Sequence, residues 1–176
     1  NHILTSQISR VEILKGNQSS VYGSGAIGGT INITTKKGKP GTQKNTMINT
    51  GSHGTVNYSA SYSGSDEINN YYVGFERFQT EGLSAMTHND EKDGYKNNSL
   101  VANYSRELPN TLKIKSNLRF SDTYQQYDKE VDTATATHNE EEDSVQSSAN
   151  LSLEYNYNEK FNNEVSLAQT YVKRIY

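Results

Sequence analysis

The amino-acid sequence predicts an all-β protein, most of it a transmembrane antiparallel β-barrel sheet. Three observations carry the barrel. From Lys44 onward apolar and polar residues alternate with a period of two, the mark of strands with one apolar face. Most of these runs reach the roughly 9 to 11 residues that a tilted membrane strand needs, whereas globular strands average about five or six. The connections between runs alternate between short turns and long polar loops, as in membrane barrels with short inner turns and long outer loops.

In chain order, residues 1–9 read as a lead into the stretch Arg10 to Gly38, RVEILKGNQSSVYGSGAIGGTINITTKKG. That stretch predicts a short strand at Val11 to Leu14, a Lys15-Gly16 turn, a Ser/Tyr/Gly-dense loop from Gln18 to Gly29, and a β-branched strand from Thr30 to Thr35. Six of the chain's 13 glycines lie in it, so its backbone must turn tightly or pack closely. Gly23-Ser24-Gly25-Ala26-Ile27-Gly28 spells GxGxxG, but the dinucleotide fingerprint needs a strand running straight into the glycines and a helix leaving them. Here eight residues separate Leu14 from Gly23 and GTINITT follows, in which Thr and Ile favour a strand. Nucleotide binding is therefore excluded on context.

The same stretch resembles the late part of the plug domain of TonB-dependent outer-membrane receptors. The likeness rests on Ile8, Arg10, Val11, Glu12, Ile13, Leu14, Lys15, Gly16, Ser19, Tyr22, Gly23, Ala26, Gly28, Gly29, Ile31, Asn32, Ile33, Thr35 and Lys36. Asn17, Val21 and Thr34 depart from the pattern without changing the character of strand or loop. The resemblance implies a plug that blocks a barrel lumen, ligand bound outside between plug apices and loops, and energy from the inner-membrane TonB/ExbB/ExbD complex acting on a plug segment outside this chain. It also implies that the Val21 to Gly29 loop belongs to the plug core. Within the motif, Arg10, Glu12, Lys15, Gly16, Tyr22, Gly23, Gly28, Gly29 and Asn32 are the marked positions, with Arg10, Glu12 and Lys15 as candidates either for polar contacts to the barrel wall or simply for keeping the plug soluble.

The domain reading is 1–38 for the end of the plug, 39–43 for a basic Gly/Pro linker, and 44–176 for the first barrel strands. Strands are expected at 44–51, 54–64, 70–80, 95–107, 111–127, 144–157 and 161–175. The fifth is clearest, with Leu112, Ile114, Leu118 and Phe120 alternating with Lys113, Lys115, Asn117, Arg119 and Ser121. The sixth repeats this with Ala149, Leu151, Leu153, Tyr155 and Tyr157. A soluble sandwich also alternates, because its inner faces make a core; strand length favours the membrane. Seven strands do not close the roughly 22-stranded barrel that the resemblance implies. The opening Asn1 and the lack of a basic-then-apolar leader fit a piece of a longer protein.

Composition narrows the function classes. Net charge is −3, which argues against a nucleic-acid surface. Mean hydropathy is −0.87, yet a barrel strand shows lipid only every second side chain, so low hydropathy does not exclude a membrane. The 13 tyrosines include Tyr71, Tyr72, Tyr95, Tyr124, Tyr127, Tyr155 and Tyr157 near strand ends. They fit an interfacial girdle, or equally the ordinary preference of Tyr for strands. No cysteine is present for a thiolate site, and His2, His53, His88 and His138 are scattered singly. With no H-E-x-x-H or G-x-S-x-G, an enzyme is not expected.

The two long loops, 80–94 and 128–143, are acidic. Closely spaced carboxylates there suit either a calcium ion or a solvated bacterial surface. The Thr80-Glu81-Gly82 step, the Glu91-Lys92-Asp93-Gly94-Tyr95 step and the Tyr127-Asp128 pair resemble the vitamin B12 (cobalamin) transporter subfamily. That resemblance implies cobalamin as ligand and Ca2+ bound by Glu91, Asp93, Asp128 and Glu140, with no cofactor required for chemistry. The alternatives are a siderophore receptor, sharing the plug and differing in the loops, and a soluble β-sheet binding or adhesin module.

Overall fold

The computed structural model describes residues 4–83, 92–109, 111–128, 139–158 and 161–176. A 3-10 turn at Thr5–Gln7 leads into a hairpin of β1 (Ile8–Lys15) and β2 (Gly29–Thr35). The two strands are antiparallel, with Val11 opposite Ile33 and Ile13 opposite Ile31. Between them one helical turn, α1 (Ser19–Tyr22), forms within the expected loop. It closes on Gly23, whose N–H donates to Ser19 O at 3.1 Å. The glycine motif is followed by a strand, as its Thr and Ile content requires.

The rest is a seven-stranded antiparallel meander in sequential order. Its strands are β3 (Gly41–Thr50), β4 (Val56–Ser65), β5 (Asn69–Thr80), β6 (Tyr95–Leu108), β7 (Leu112–Asp128), β8 (Asn139–Asn158) and β9 (Phe161–Ile175). The sheet is open, ending on β3 and β9. Three strands start three or more residues earlier than expected. β1 starts at Ile8 rather than Val11, because its pairing with β2 reaches Ile8 opposite Thr35. β3 starts at Gly41, inside the segment read as linker, because Gly41 to Thr50 pair with β4 over their whole length. β8 starts at Asn139 rather than 144, because β7 runs on to Asp128 and offers it a partner at every position.

The alternation sorts onto the two faces in the reverse of a globular core. The buried positions on the strands are mostly polar: Ser59, Ser63, Glu76, Asn97, Ser99, Asn103, Ser121, Thr123, Glu142, Ser144, Gln146 and Ser152. Asn97 and Ser121 are 0% exposed, while Leu118 on the opposite face is 51% and Leu167 75% exposed. On that outer face Phe75, Leu100 and Phe120 stand in one row across β5, β6 and β7, and Val73, Ala102, Leu118 and Ala149 in the next. A continuous apolar outer band over a polar inner face is the pattern of a barrel that meets lipid outside and water or protein inside. From Leu112 to Phe120 the band follows the strand for about 26 Å at roughly 3.3 Å per residue.

Short connections lie at one end of the sheet. At the β4–β5 turn the Asp66 carboxylate accepts from the N–H groups of Ile68 (2.8 Å) and Asn69 (2.7 Å). Those two bonds hold its pKa below the ordinary aspartate value. The opposite end carries the turn after β3 and the long loops. There Glu81 N–H donates to His53 O at 2.9 Å, and the Glu81 side chain pairs with Lys92.

Candidate functional site

The hairpin lies against the inner face along a polar seam. Gln7, 1% exposed, donates from Nε2 to Ser99 O at 3.3 Å, and its Oε1 accepts from Ser99 Oγ at 3.0 Å. Ser6 Oγ donates to the carboxylate of Glu76, also 1% exposed, which accepts a second bond from Asn57 Nδ2 at 2.9 Å. Past β2, Asn103 Nδ2 donates to Thr35 Oγ1 at 2.9 Å and to Lys36 O at 2.7 Å. Gly38 is held from both sides by one side chain: its N–H donates to Asn70 Oδ1 and its C=O accepts from Asn70 Nδ2, each at 2.9 Å. Neutral amides and hydroxyls make nearly all of this contact, and each such bond is worth about 0.5–1.5 kcal/mol net.

The motif residues sit elsewhere. Arg10 pairs with Glu12 on the same strand, and Glu12 accepts from Asn32 Nδ2 at 3.1 Å. Lys15 stands opposite Gly29 at the end of the hairpin, and Gly16 N–H donates to Gly28 O at 3.3 Å. Tyr22 is exposed, as are Val21 and Ile27, while Ala26 in the same loop is buried. The motif therefore builds the hairpin and its loop. The described contacts to the wall come from Ser6, Gln7, Thr35, Lys36 and Gly38, not from the charges Arg10 and Glu12, which satisfy each other.

Two spaces flank the seam. A cleft of about 800 Å3 lies between Ser6, Ile8 and Lys36 of the hairpin side and Asn45, Ser59 and Tyr72 of the sheet. A second of about 410 Å3 is lined by Lys37, Asn103, Ser105, Lys113, Lys115 and Glu154. Lys115 pairs with Glu154 across β7 and β8.

At the outer end Gln126 N–H donates to Gly94 O at 2.8 Å, which places Asp93 beside Tyr127. Tyr127 stands opposite Glu140, and Asp128 opposite Asn139. The register thus puts Asp93, Tyr127 and Glu140 in one row at the rim, with the backbone of Asp128 one position further on. Glu91 and the side chain of Asp128 lie outside the described residues. Among the described residues, no group of three or more carboxylates or imidazoles is gathered for a metal. The run Glu140 to Asp143 is strand, not loop. Glu141 accepts from Tyr124 Oη at 2.7 Å, and Glu142 accepts from Gln125 Nε2 at 3.2 Å and lies 3.7 Å from Arg174. One further contact was not anticipated: Phe78 and Tyr95 meet with ring centroids 5.9 Å apart near this end.

Residues 1–30 match the TonB-dependent Receptor Plug Domain family. The opening segment is TonB-dependent receptor plug sequence. Over 140 residues the chain is 30% identical to the Vitamin B12 transporter BtuB of Vibrio vulnificus, covering 73% of this chain and 22% of that protein. Over 168 residues it is 27% identical to the Vitamin B12 transporter BtuB of Photobacterium profundum, covering 92% of this chain and 26% of that one. The chain spans about a quarter of the length of these relatives. The likeness to both runs well past the matched plug residues and so takes in part of the sheet that follows. In those terms the seam is a contact between plug and barrel wall.

Proposed function

We propose that this chain is part of a bacterial outer-membrane active-transport receptor that takes up a scarce large ligand, cobalamin, with energy from the TonB/ExbB/ExbD complex. The observation that carries the reading is the plug hairpin lying against the polar face of a sheet whose other face is apolar. Outer-membrane lipid would meet the apolar band, and the plug would occupy the lumen. A polar seam suits a plug that must leave its wall, because neutral hydrogen bonds can be exchanged for water at small net cost. The names of the relatives support cobalamin over a siderophore.

Calcium enters at the outer rim. The support is that Asp93 and Glu140 share a register row with Tyr127 while Asp128 follows one position on, and that carboxylate oxygens suit Ca2+. With Glu91 they would hold the ion, which would order the two outer loops over the ligand.

The test is calorimetric titration of cyanocobalamin into the full-length receptor in detergent, with and without calcium. Binding that weakens on chelation, and again in Asp93→Ala, supports both ligand and ion. Absence of binding in either condition removes cobalamin and favours a ferric siderophore, leaving the fold untouched.

A further inference from the structure

The two ends of the plug–wall seam are built differently. At Thr5–Gln7 the described contacts are made by plug side chains, Ser6 to Glu76 and Gln7 to Ser99. At the connector that leaves β2, the wall grips plug backbone. Asn70 closes a ring of two bonds with the backbone N–H and C=O of Gly38, and Asn103 holds Lys36 O. Glycine is required at position 38 by close approach: a Cβ there would lie 1.9 Å from Gly64 O and 2.7 Å from Tyr71 O, both backbone atoms. Two residues on, Pro40 bridges to Ser65 in parallel. The connector is therefore fixed to β4, β5 and β6 within five residues.

We propose that Asn70 is a positioning residue that pins the Gly38 peptide, so that the connector Lys36 to Pro40 stays on the wall as a fixed pivot while the β1–β2 hairpin moves. This rests on the transport reading, since a plugged lumen passes a large ligand only if plug backbone is displaced. The Ser6–Gln7 contacts are then the ones that open. At Gly38 the backbone itself is bonded and packed against wall backbone, whereas Ser6 and Gln7 are held through their own side chains, which can rotate away and be replaced by water singly.

Two experiments on the full-length receptor test this. The first needs no transport. By hydrogen exchange the Gly38 amide is slow in the parent and about tenfold faster in Asn70→Ala, the equivalent of losing a bond or two at about 1 kcal/mol each. Asn70→Asp keeps an acceptor for the N–H and falls between, while amides of the β5–β6 ladder keep their rates. A Gly38 amide that exchanges in Asn70→Ala at the parent's rate overturns the pin. The second uses paired cysteines closed with a short thiol-reactive linker in cells accumulating cyanocobalamin. Linking Lys37→Cys to Ser105→Cys, which line one cleft, leaves uptake intact. Linking Ser6→Cys to Ser59→Cys, which line the other, abolishes it. Equal loss from both links, or loss from neither, overturns the pivot. Lack of uptake in the unlinked variants counts against cobalamin transport instead, and the exchange result still decides the pin.

Discussion

The inner and outer faces of the seven-stranded sheet are made by the same strands and obey opposite rules. On the inner face polar side chains are buried together and some bond across strands, as when Asn97 Nδ2 donates to Thr123 Oγ1 at 2.7 Å. On the outer face Leu100, Leu118, Phe120, Leu151 and Leu153 are exposed without polar cover. On the transport reading the stability of such a sheet is divided between two environments: lipid would cover one face, and hydrogen bonds to neighbours and to the lumen would serve the other. A substitution should then be judged by its face rather than by its type.

The sharpest way to break the comparison is one residue type placed on adjacent positions of one strand. Leu118→Arg puts a cation in the middle of the apolar band and should cost about 2–4 kcal/mol. Asn117→Arg, facing the polar lumen beside the second cleft, should stay within about 0.5 kcal/mol. Denaturant unfolding of the full-length receptor from lipid vesicles measures both. Equal costs would mean that the exposed leucines do not meet lipid.

A second test compares the two kinds of polar residue in the plug. Gln7→Ala removes both bonds to Ser99 in a buried seam and should cost about 1–3 kcal/mol, read as faster proteolysis around the Thr5–Gln7 turn. Arg10→Ala breaks an exposed ion pair and should cost under about 1 kcal/mol. If Arg10→Ala loosens the plug as much as Gln7→Ala, the charges rather than the amides dock it.

Much of this was legible in the sequence, and what was not has physical reasons. The alternation through Leu112, Ile114, Leu118 and Phe120 announced β7 and its apolar face because successive strand residues point to opposite faces, so one apolar face needs apolarity at every second position. The start of β8 was hidden, since Asn139 to Asp143 has polar residues on both faces and becomes strand only because β7 extends to meet it. α1 spans four residues, too few to show a helical period. The plug motif identified the hairpin, but Gln7, Asn70 and Asn103 carry no charge and no periodic signal. Reading charge as contact pointed to Arg10 and Glu12, which pair with each other. The polar face of β6 was visible; which of its residues touched the plug depended on the approach of Gly38 and Gln7, set by tertiary structure.

The smallest expected effect lies at the turn where the two faces meet. Asp66 is exposed, and its carboxylate binds the Ile68 and Asn69 amides. Its pKa is lowered in the folded turn, so the charged form is the one that folding favours. The contribution is therefore complete above the unfolded aspartate value and fades as pH falls through the lower folded value. Amide protection at Ile68 and Asn69, corrected for intrinsic exchange, should fall over that acid window and be low at every pH in Asp66→Ala. Amides in the middle of β4 and β5 should not follow, because their ladder partners do not titrate. Protection lost in mid-strand over the same window would show that the turn sets the register of the hairpin, and the faces of β4 and β5 would then depend on one carboxylate at their edge as well as on the environments they meet.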